Sequence, residues 1–177
     1  MDRNDILSLL KDRGIYYEIT LHEAVFDMAG SALLDLPHPR CVAKNLFVHD
    51  EGRRNWYLLC IKGDKRVDLK AFRRQESTRA LSFASAMELY GHLHLPAGSV
   101  TPLGLLNDET RSVVLYLDED FREGEGIVGV HPNDNTATVW LHWRDLTDLL
   151  ASQGCAIHMC HMPGEGVETT PETGDLT

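Results

Sequence analysis

The sequence predicts a single-domain α+β fold in which a mixed, mostly antiparallel twisted sheet is flanked by helices. Short apolar runs with strand character outnumber the amphipathic helical stretches. The two kinds do not alternate regularly along the chain, as a doubly wound parallel sheet would require. The 177 residues suffice for one buried core. We therefore expect one domain over residues 1–154 and a poorly ordered tail over residues 155–177.

The N-terminal quarter of the chain predicts helix, strand and helix. An apolar stripe begins after Asn4 or Asp5, either of which can cap a helix, and Gly14 ends it. Residues 15–20 alternate and are rich in aromatic and branched side chains, which favours a strand. Residues 25–36 are rich in Ala, Leu and Met, and they predict a helix that Pro37 stops.

The middle of the chain predicts a β-hairpin and two helices. The apolar runs 42–48 and 56–61 flank a charged turn that contains glycine, which is a hairpin pattern. Asp68 and Ser85 are residue types that cap helix N-termini. We expect one helix from Asp68 to about residue 74 and a second from Ser85 to about residue 90.

The remaining chain predicts strands and one closing helix. The strands lie at residues 100–106, 112–117, 127–130 and 136–141, separated by turns rich in Asn, Asp, Glu and Gly. Residues 143–152 carry leucines on one helical face and are followed by Gly154. From Met162 onward apolar residues almost vanish, which is typical of disorder.

Charge is distributed unevenly along the chain. With 17 Lys and Arg against 27 Asp and Glu, the net charge is −10, which argues against diffuse binding to nucleic acid or anionic lipid. Residues 53–79 nevertheless hold nine bases against three acids, a net +6, which indicates either a solvated face or a local anion-binding surface. No apolar run could cross a bilayer and the N-terminus is unlike a targeting peptide, so we expect a cytoplasmic protein.

The four cysteines do not suggest a disulfide framework, because they are few and irregularly spaced. Cys155, His158, Cys160 and His161 are residue types that bind zinc, and a metal-binding tail is one interpretation of them. Their crowding into seven positions does not match the ligand spacing of zinc fingers. We expect an incidental cluster, with no metal and no other cofactor.

Familiar catalytic signatures such as GxSxG, a Walker loop or HExxH are absent from the sequence. Three segments instead combine polar residues with Gly or Pro, namely residues 43–47, 98–102 and 129–135. Lys44 begins an apolar strand, where its ammonium would either reach solvent or hold an anion such as a phosphate. His131 precedes an Asn/Asp-rich turn and is either structural or functional.

Taken together, these segments resemble one family. AKNLF, KRVDLKAF, LSFAS, GSVTPLGLLND and GVHPNDNTATVWL, in this order and spacing, are similar to the YbaK and prolyl-tRNA-synthetase-associated editing domain family, and most of all to its free-standing prolyl-tRNA editing proteins. The resemblance covers residues 2–153. It implies a YbaK-like fold and hydrolysis of the ester of mischarged tRNA(Pro), with alanine as the expected amino acid.

The resemblance also implies a role for each matching residue. Lys44 would hold the phosphate or ribose of the terminal adenosine, with Asn45 as its polar neighbour, and residues 98–102 would contact the ester and water. The expected catalytic residues are Lys44, Asn45, Gly98 and His131. The expected substrate-binding residues are Ser99, Val100, Thr101, Pro102 and Gly129, and the pocket wall draws on Phe26, Met28, Tyr16, Tyr17 and Val25. The bases expected to follow the tRNA backbone are Arg53, Arg54, Lys65, Arg66, Arg73 and Arg74.

The implied chemistry needs no nucleophilic side chain, because an aminoacyl ester is already activated and a positioned water with oxyanion donors suffices. Ser99 as a covalent nucleophile with His131 as its base is the mechanistic alternative. The functional alternatives are a deacylase for Cys-tRNA(Pro) or another aminoacyl-tRNA, and a noncatalytic adaptor that binds aminoacyl-tRNA. Prolyl-tRNA synthetase is an expected second partner, whereas DNA and membranes are not.

Overall fold

The structure is a computed structural model that describes residues 1–24, 29–30, 34–63 and 65–165. The helices are α1 (Arg3–Asp12), α2 (Leu69–Glu76), α3 (Ala86–Leu93) and α4 (Trp143–Ser152). The strands are β1 (Tyr17–Leu21), β2 (Ala43–Asp50), β3 (Trp56–Lys62), β4 (Leu81–Phe83), β5 (Val113–Asp118), β6 (Ile127–Val130), β7 (Ala137–His142) and β8 (Ala156–Cys160). Short 3-10 helices span Pro39–Cys41, Pro102–Asn107 and Glu119–Arg122.

The strands form two sheets. The larger has the order β4-β2-β3-β5-β8, in which β2 pairs antiparallel with both β3 and β4, while β3–β5 and β5–β8 are parallel. The smaller sheet, β1-β7-β6, is antiparallel throughout. The expected α+β class with mixed, mostly antiparallel pairing is confirmed, as is the β2–β3 hairpin.

Each face of the larger sheet is covered, because successive side chains of its strands point to opposite sides. Leu58 and Cys60 of β3 face the main core, which lies between this sheet, the smaller sheet and α1, α3 and α4. Leu59 and Ile61 face a second cluster, which Phe72 of α2 closes. This two-sided burial explains why β3 is apolar along nearly its whole length.

Helix caps place the helices as expected, with one exception. Asp68 accepts hydrogen bonds from the first turn of α2, and Ser85 forms a capping box with Glu88 at the start of α3. Each such cap contributes about 1 kcal/mol. The cap of α1 is Asp2 and not Asn4 or Asp5, since Asp2 forms a reciprocal capping box with Asp5.

The predicted strand at residues 100–106 is wrong. Pro102 occupies the first turn of the 3-10 helix Pro102–Asn107, where its missing N–H costs nothing, whereas a central strand would lose a ladder hydrogen bond. Gly104 allows this helix to lie against Leu95, because a Cβ at residue 104 would overlap that side chain. Most of the helix predicted at residues 25–36 lies outside the described residues.

The tail predicted from residue 155 is wrong for residues 155–165. β8 pairs with β5, Met162 is buried, and the Asp68 N–H donates to the Pro163 carbonyl at 2.9 Å. The Glu165 N–H donates to the Arg66 carbonyl at 3.0 Å. The sequence pattern did not predict β8, because β8 is a short edge strand followed by a polar segment and its partner β5 lies far away in sequence. The ordered domain thus extends at least to Glu165, and residues 166–177 lie outside the described residues.

The strand geometry of β8 separates the four candidate zinc ligands. Cys155 belongs to the main core, whereas Cys160 lies in the second cluster on the other face of the sheet. His158 stacks on the Tyr116 ring, with the centroids 5.1 Å apart. Burial raises the pKa of Cys160 to about 12, so this thiol is protonated at neutral pH. Among the described residues, no group of three or more potential ligands converges.

Candidate functional site

The three segments singled out in the sequence meet near the start of β2. A parallel bridge joins Val42, just before β2, to Gly129 of β6. The buried Thr101 hydroxyl donates to the carbonyl of His131 at 2.6 Å. Residues 98–102 and 129–132 are therefore tied to each other, and β6 is tied to β2. No sequence signal showed that Thr101 makes this link.

Lys44 and Asn45 lie on opposite faces of β2. Lys44 pairs with Ile61 on the face of the second cluster, and its Nζ donates to the Lys65 carbonyl at 3.4 Å. Asn45 pairs with Cys60 on the face of the main core. Its Oδ1 is buried, and no donor among the described residues reaches it. A buried acceptor without a partner is costly, so this atom marks a position where a ligand donor would be stabilising.

Residues 98–102 form a turn whose backbone is constrained at both ends. Gly98 is exposed and has φ +81°, in the left-handed region that disfavours side chains. The Ser99 N–H donates to the Pro96 carbonyl at 3.1 Å, and Pro102 begins the 3-10 helix. Val100 packs against the main core. Ser99 is buried and makes no hydrogen bond to a base among the described residues, so the geometry does not support an activated Ser99.

His131 is a neutral imidazole at physiological pH. Burial and the nearby His22 lower the pKa of His131 to about 4, against a weaker opposing effect of Asp134. The His22 and His131 rings have centroids 6.0 Å apart. His22 is held by Thr138 Oγ1 at 2.9 Å and by the Glu23 carbonyl at 2.8 Å. Sequence reasoning missed His22, which carries no motif that distinguishes it from other histidines.

Gly129 permits a close approach of Trp140. A Cβ at residue 129 would lie 2.6 Å from Cε3 of that indole, which is far inside van der Waals contact. The Trp140 Nε1 donates to the Thr20 hydroxyl at 3.0 Å, and the ring is buried. His38 packs edge-on against it at 5.3 Å. The close packing of the Trp140 ring thus explains why residue 129 is a glycine.

The turn after His131 is fixed by the N-terminus of the chain. Asp134 accepts from the Thr136 N–H at 2.8 Å and from its hydroxyl at 2.6 Å, and it pairs with Arg3 at 3.7 Å. Asn133 Nδ2 donates to the Met1 carbonyl at 3.0 Å. These contacts hold the His131 segment in one position.

The expected tRNA-backbone surface is smaller than the sequence suggests. Lys65 pairs with Asp118 at 2.7 Å and with Asp120; burial opposes its charge, but these partners raise its pKa overall. Arg53 donates to Glu88 at 2.6 Å. Neither side chain is available to a phosphate without breaking an ion pair. Of the six bases expected to follow the tRNA backbone, four are exposed and have no ion pair among the described residues: Arg54, Arg66, Arg73 and Arg74.

These bases do not form one patch around Lys44. Arg53 and Arg54 lie in the β2–β3 turn, about 20 Å from Lys44 along β2 at roughly 3.3 Å per residue. Arg66 lies in the connection from β3 to α2, close to the Lys65 carbonyl that Lys44 contacts. Arg54 and Arg66 therefore cannot serve the same phosphate.

The pocket wall is only partly described. Phe26, Met28 and Val25 lie outside the described residues. Tyr16 is 75% exposed, and Tyr17 packs against the main core. No helix in the described part of the chain is long and apolar enough to cross a membrane.

Comparisons with known proteins identify the family. The aminoacyl-tRNA editing domain model matches residues 22–149. The prolyl-tRNA editing protein ProX of Acetoanaerobium sticklandii is 35% identical over 149 residues, which are 84% of this chain and 90% of that protein. The prolyl-tRNA synthetase associated domain-containing protein 1 of Danio rerio is 34% identical over 110 residues, which are 62% of this chain and 59% of that protein.

A solved structure supports the same fold. It is described as a candidate trans-editing enzyme for prolyl tRNA synthetase, and it superposes with a TM-score of 0.70 at 21% identity, covering 93% of this chain and 97% of that one. The resemblance noted in the sequence is therefore confirmed. The chain belongs to the aminoacyl-tRNA editing domain family, and its enzyme class is that of the aminoacyl-tRNA deacylases.

Proposed function

We propose that this protein hydrolyses the ester of mischarged tRNA(Pro) in trans, with alanine as its preferred amino acid. The observation that carries the proposal is the meeting of residues 98–102, residues 129–132 and the start of β2. The similar protein of Acetoanaerobium sticklandii is a prolyl-tRNA editing protein, which favours the same tRNA. Prolyl-tRNA synthetase is a proposed partner, and the cytoplasm the proposed location.

In the proposed reaction a water attacks the ester carbonyl, a new C–O bond forms, and the bond to the ribose oxygen breaks. The amino acid leaves as its carboxylate, and the 3′-terminal hydroxyl of the tRNA regains a proton. Backbone N–H groups of Gly98, Val100 and Thr101 stabilise the oxyanion, where one well-placed donor contributes roughly 3 kcal/mol; the Ser99 N–H is already donated to the Pro96 carbonyl. The His131 imidazole, which is neutral at physiological pH because its pKa is lowered, orients the attacking water or the amino group of the substrate.

Lys44 and Asn45 bind different parts of the terminal adenosine in this scheme, because they face opposite sides of β2. Lys44 supplies a point charge for a phosphate. The unpaired Oδ1 of Asn45 accepts a hydrogen bond from the ribose or from the α-ammonium group. Thr101 positions the loops and does not contact substrate, since its hydroxyl is already donated to His131.

Amino acid selection in this scheme is steric. A pocket that fits alanine excludes proline by overlap, which costs more than the roughly 1–3 kcal/mol that a missing methylene forfeits. A panel of Ala-, Cys-, Ser- and Pro-tRNA(Pro) tests the proposal by measuring the rate of amino acid release. We expect Ala-tRNA(Pro) to be hydrolysed fastest and Pro-tRNA(Pro) to survive. Faster hydrolysis of Cys-tRNA(Pro) would show that cysteine, and not alanine, is the preferred amino acid. Tight binding of these tRNAs without hydrolysis would indicate a noncatalytic adaptor.

Gly98→Ala should reduce deacylation more than Ser99→Ala does. The φ of +81° at Gly98 disfavours any side chain, so alanine there distorts the N–H groups that follow it. Loss of the Ser99 hydroxyl leaves those backbone donors in place. Single-turnover kinetics on Ala-tRNA(Pro) should show about a 10-fold or larger loss for Gly98→Ala, from the roughly 1–3 kcal/mol of strain.

Gly14→Ala is the matched control, because it places the same methyl at a similar φ of +66°, in the exposed turn after α1 with nothing within 4 Å. It should keep full activity. A Ser99→Ala enzyme that is slower than Gly98→Ala, together with an acyl-enzyme burst in the wild type, would instead establish Ser99 as a nucleophile.

A further inference from the structure

An open cleft lies at the end of the smaller sheet opposite to His131. It has a volume of about 540 Å³, and its lining includes Arg122, Glu125, Gly126, Trp143 and Arg144. The loop before β6 packs closely on the start of α4, because the Trp143 N–H donates to the Gly126 carbonyl at 2.9 Å. A Cβ at Gly126 would lie 2.6 Å from the His142 imidazole. The cleft is therefore built by tertiary contacts between two separate segments.

Two guanidinium groups share the Trp143 ring. The Cζ atoms of Arg122 and Arg144 each lie 5.2 Å from the indole centroid. A cation–π contact of this kind uses the face of the guanidinium and leaves its in-plane N–H donors free. Among the described residues, neither side chain has an ion pair or a hydrogen bond, and both arginines are exposed. The indole thus holds two sets of unused donors at one place.

The nearby carboxylates do not neutralise this pair. Glu123 lies 3.6 Å from Lys62, so it already has a cationic partner. Glu125 lines the cleft but makes no ion pair with either arginine. The chain carries a net charge of −10, so two unpaired arginines on one indole make a local site of positive charge. Planar guanidinium donors match phosphate oxygens in geometry and charge.

We propose that the Arg122–Trp143–Arg144 cleft binds a backbone phosphate of the substrate RNA, a few nucleotides away from the ester; this inference rests on the proposed function. Gly126 and His131 lie on either side of β6, five residues and therefore about 16 Å apart at roughly 3.3 Å per residue. His142 and Trp140 lie on the same face of β7, because they are two residues apart. Trp140 is buried and His38 packs against it, so an RNA strand bound in the cleft reaches the Gly129 segment by passing beside this face and not over it.

The test uses an RNA hairpin that carries the acceptor stem and single-stranded 3′ end of tRNA(Pro) and has no amino acid attached. Its dissociation constant is measured by fluorescence anisotropy over a range of salt concentrations, for the wild type and for the double variant Arg122→Gln/Arg144→Gln. We expect about a 10-fold or greater loss of affinity and a log–log salt slope that is shallower by about 1–2. An unchanged dissociation constant and slope would overturn the proposal.

Two control variants isolate the cleft. Arg13→Gln removes one positive charge at the far end of α4, where Arg13 contacts Ser152, and should change affinity less than twofold. Glu125→Gln removes the carboxylate that lines the cleft and should tighten RNA binding. If Arg13→Gln weakens binding as much as the double variant, net charge and not the cleft is responsible. Inorganic phosphate, added at constant ionic strength, should compete only weakly with the RNA hairpin for the cleft. If inorganic phosphate displaces the RNA, the cleft prefers the free anion and the proposal fails.

A second substrate separates this proposal from the proposed function. Alanine esterified to adenosine alone lacks the RNA backbone and cannot reach the cleft. The double variant should hydrolyse this small ester at the wild-type rate while losing activity on Ala-tRNA(Pro). If the wild type binds RNA through the cleft but cleaves neither ester, the deacylase assignment fails and the cleft stands. If both esters are cleaved equally well by both proteins, the cleft assignment fails and the deacylase stands.

Discussion

Truncation after Gly154 should remove most of the stability of the domain. The deletion takes away β8, which pairs with β5 from Val114 to Asp118, and with it the buried Cys160 and Met162. Full burial of one such side chain contributes about 1.5–3 kcal/mol, and the exposed edge of β5 loses its hydrogen bonds as well. A loss of roughly 3–6 kcal/mol is comparable with the whole stability of many domains.

Thermal unfolding measures this effect against a matched control. The variant ending at Gly154 should melt about 10 °C or more below the full chain, or fail to fold. A variant ending at Glu165 keeps every described contact of β8 and the hydrogen bond from Glu165 to Arg66, and should melt within about 2 °C of the full chain. Equal melting temperatures for the two truncations would show that β8 contributes little.

The comparison of sequence with structure explains why β8 was missed. Asp68, Ser85 and the β2–β3 turn act through neighbours a few residues away, so their patterns predict the elements that the structure contains. β8 gains its stability from β5, about 40 residues earlier in the chain, and its own composition is ordinary. Pro102 carried a clear signal against a strand, and the apolar residues after it outweighed that signal.

The same distinction applies to the site. The family resemblance of the motifs implied that these segments share a site, and the Thr101–His131 hydrogen bond joins two of them. Charge counting could not predict that Lys65 belongs to Asp118, because that acid lies 53 residues away. It also overlooked Arg122 and Arg144, since each stands among acids in sequence and only the fold brings both to Trp143.

Lys44→Ala should abolish most deacylation while leaving the fold intact. The only hydrogen bond of its Nζ among the described residues is the long 3.4 Å contact to the Lys65 carbonyl, and the side chain is half-buried at the start of β2. Its removal therefore costs little packing, and we expect the melting temperature to change by less than about 3 °C, the equivalent of roughly 1 kcal/mol. A hydrogen bond from an ammonium to a phosphate contributes about 1.5–3 kcal/mol.

That free energy corresponds to a loss of about 10- to 100-fold in kcat/KM for Ala-tRNA(Pro). Lys44→Arg keeps the positive charge and should retain part of the activity, whereas Lys44→Met keeps only the aliphatic stem and should be as slow as Lys44→Ala. Lys11→Ala removes an exposed lysine in the last turn of α1 and serves as the charge-matched control.

The adenosine ester of alanine has no phosphate, so a lysine that binds phosphate should matter little for its hydrolysis. Equal losses on both esters would assign Lys44 to the ribose or to the reacting ester, and full activity of Lys44→Ala on Ala-tRNA(Pro) would remove it from the site.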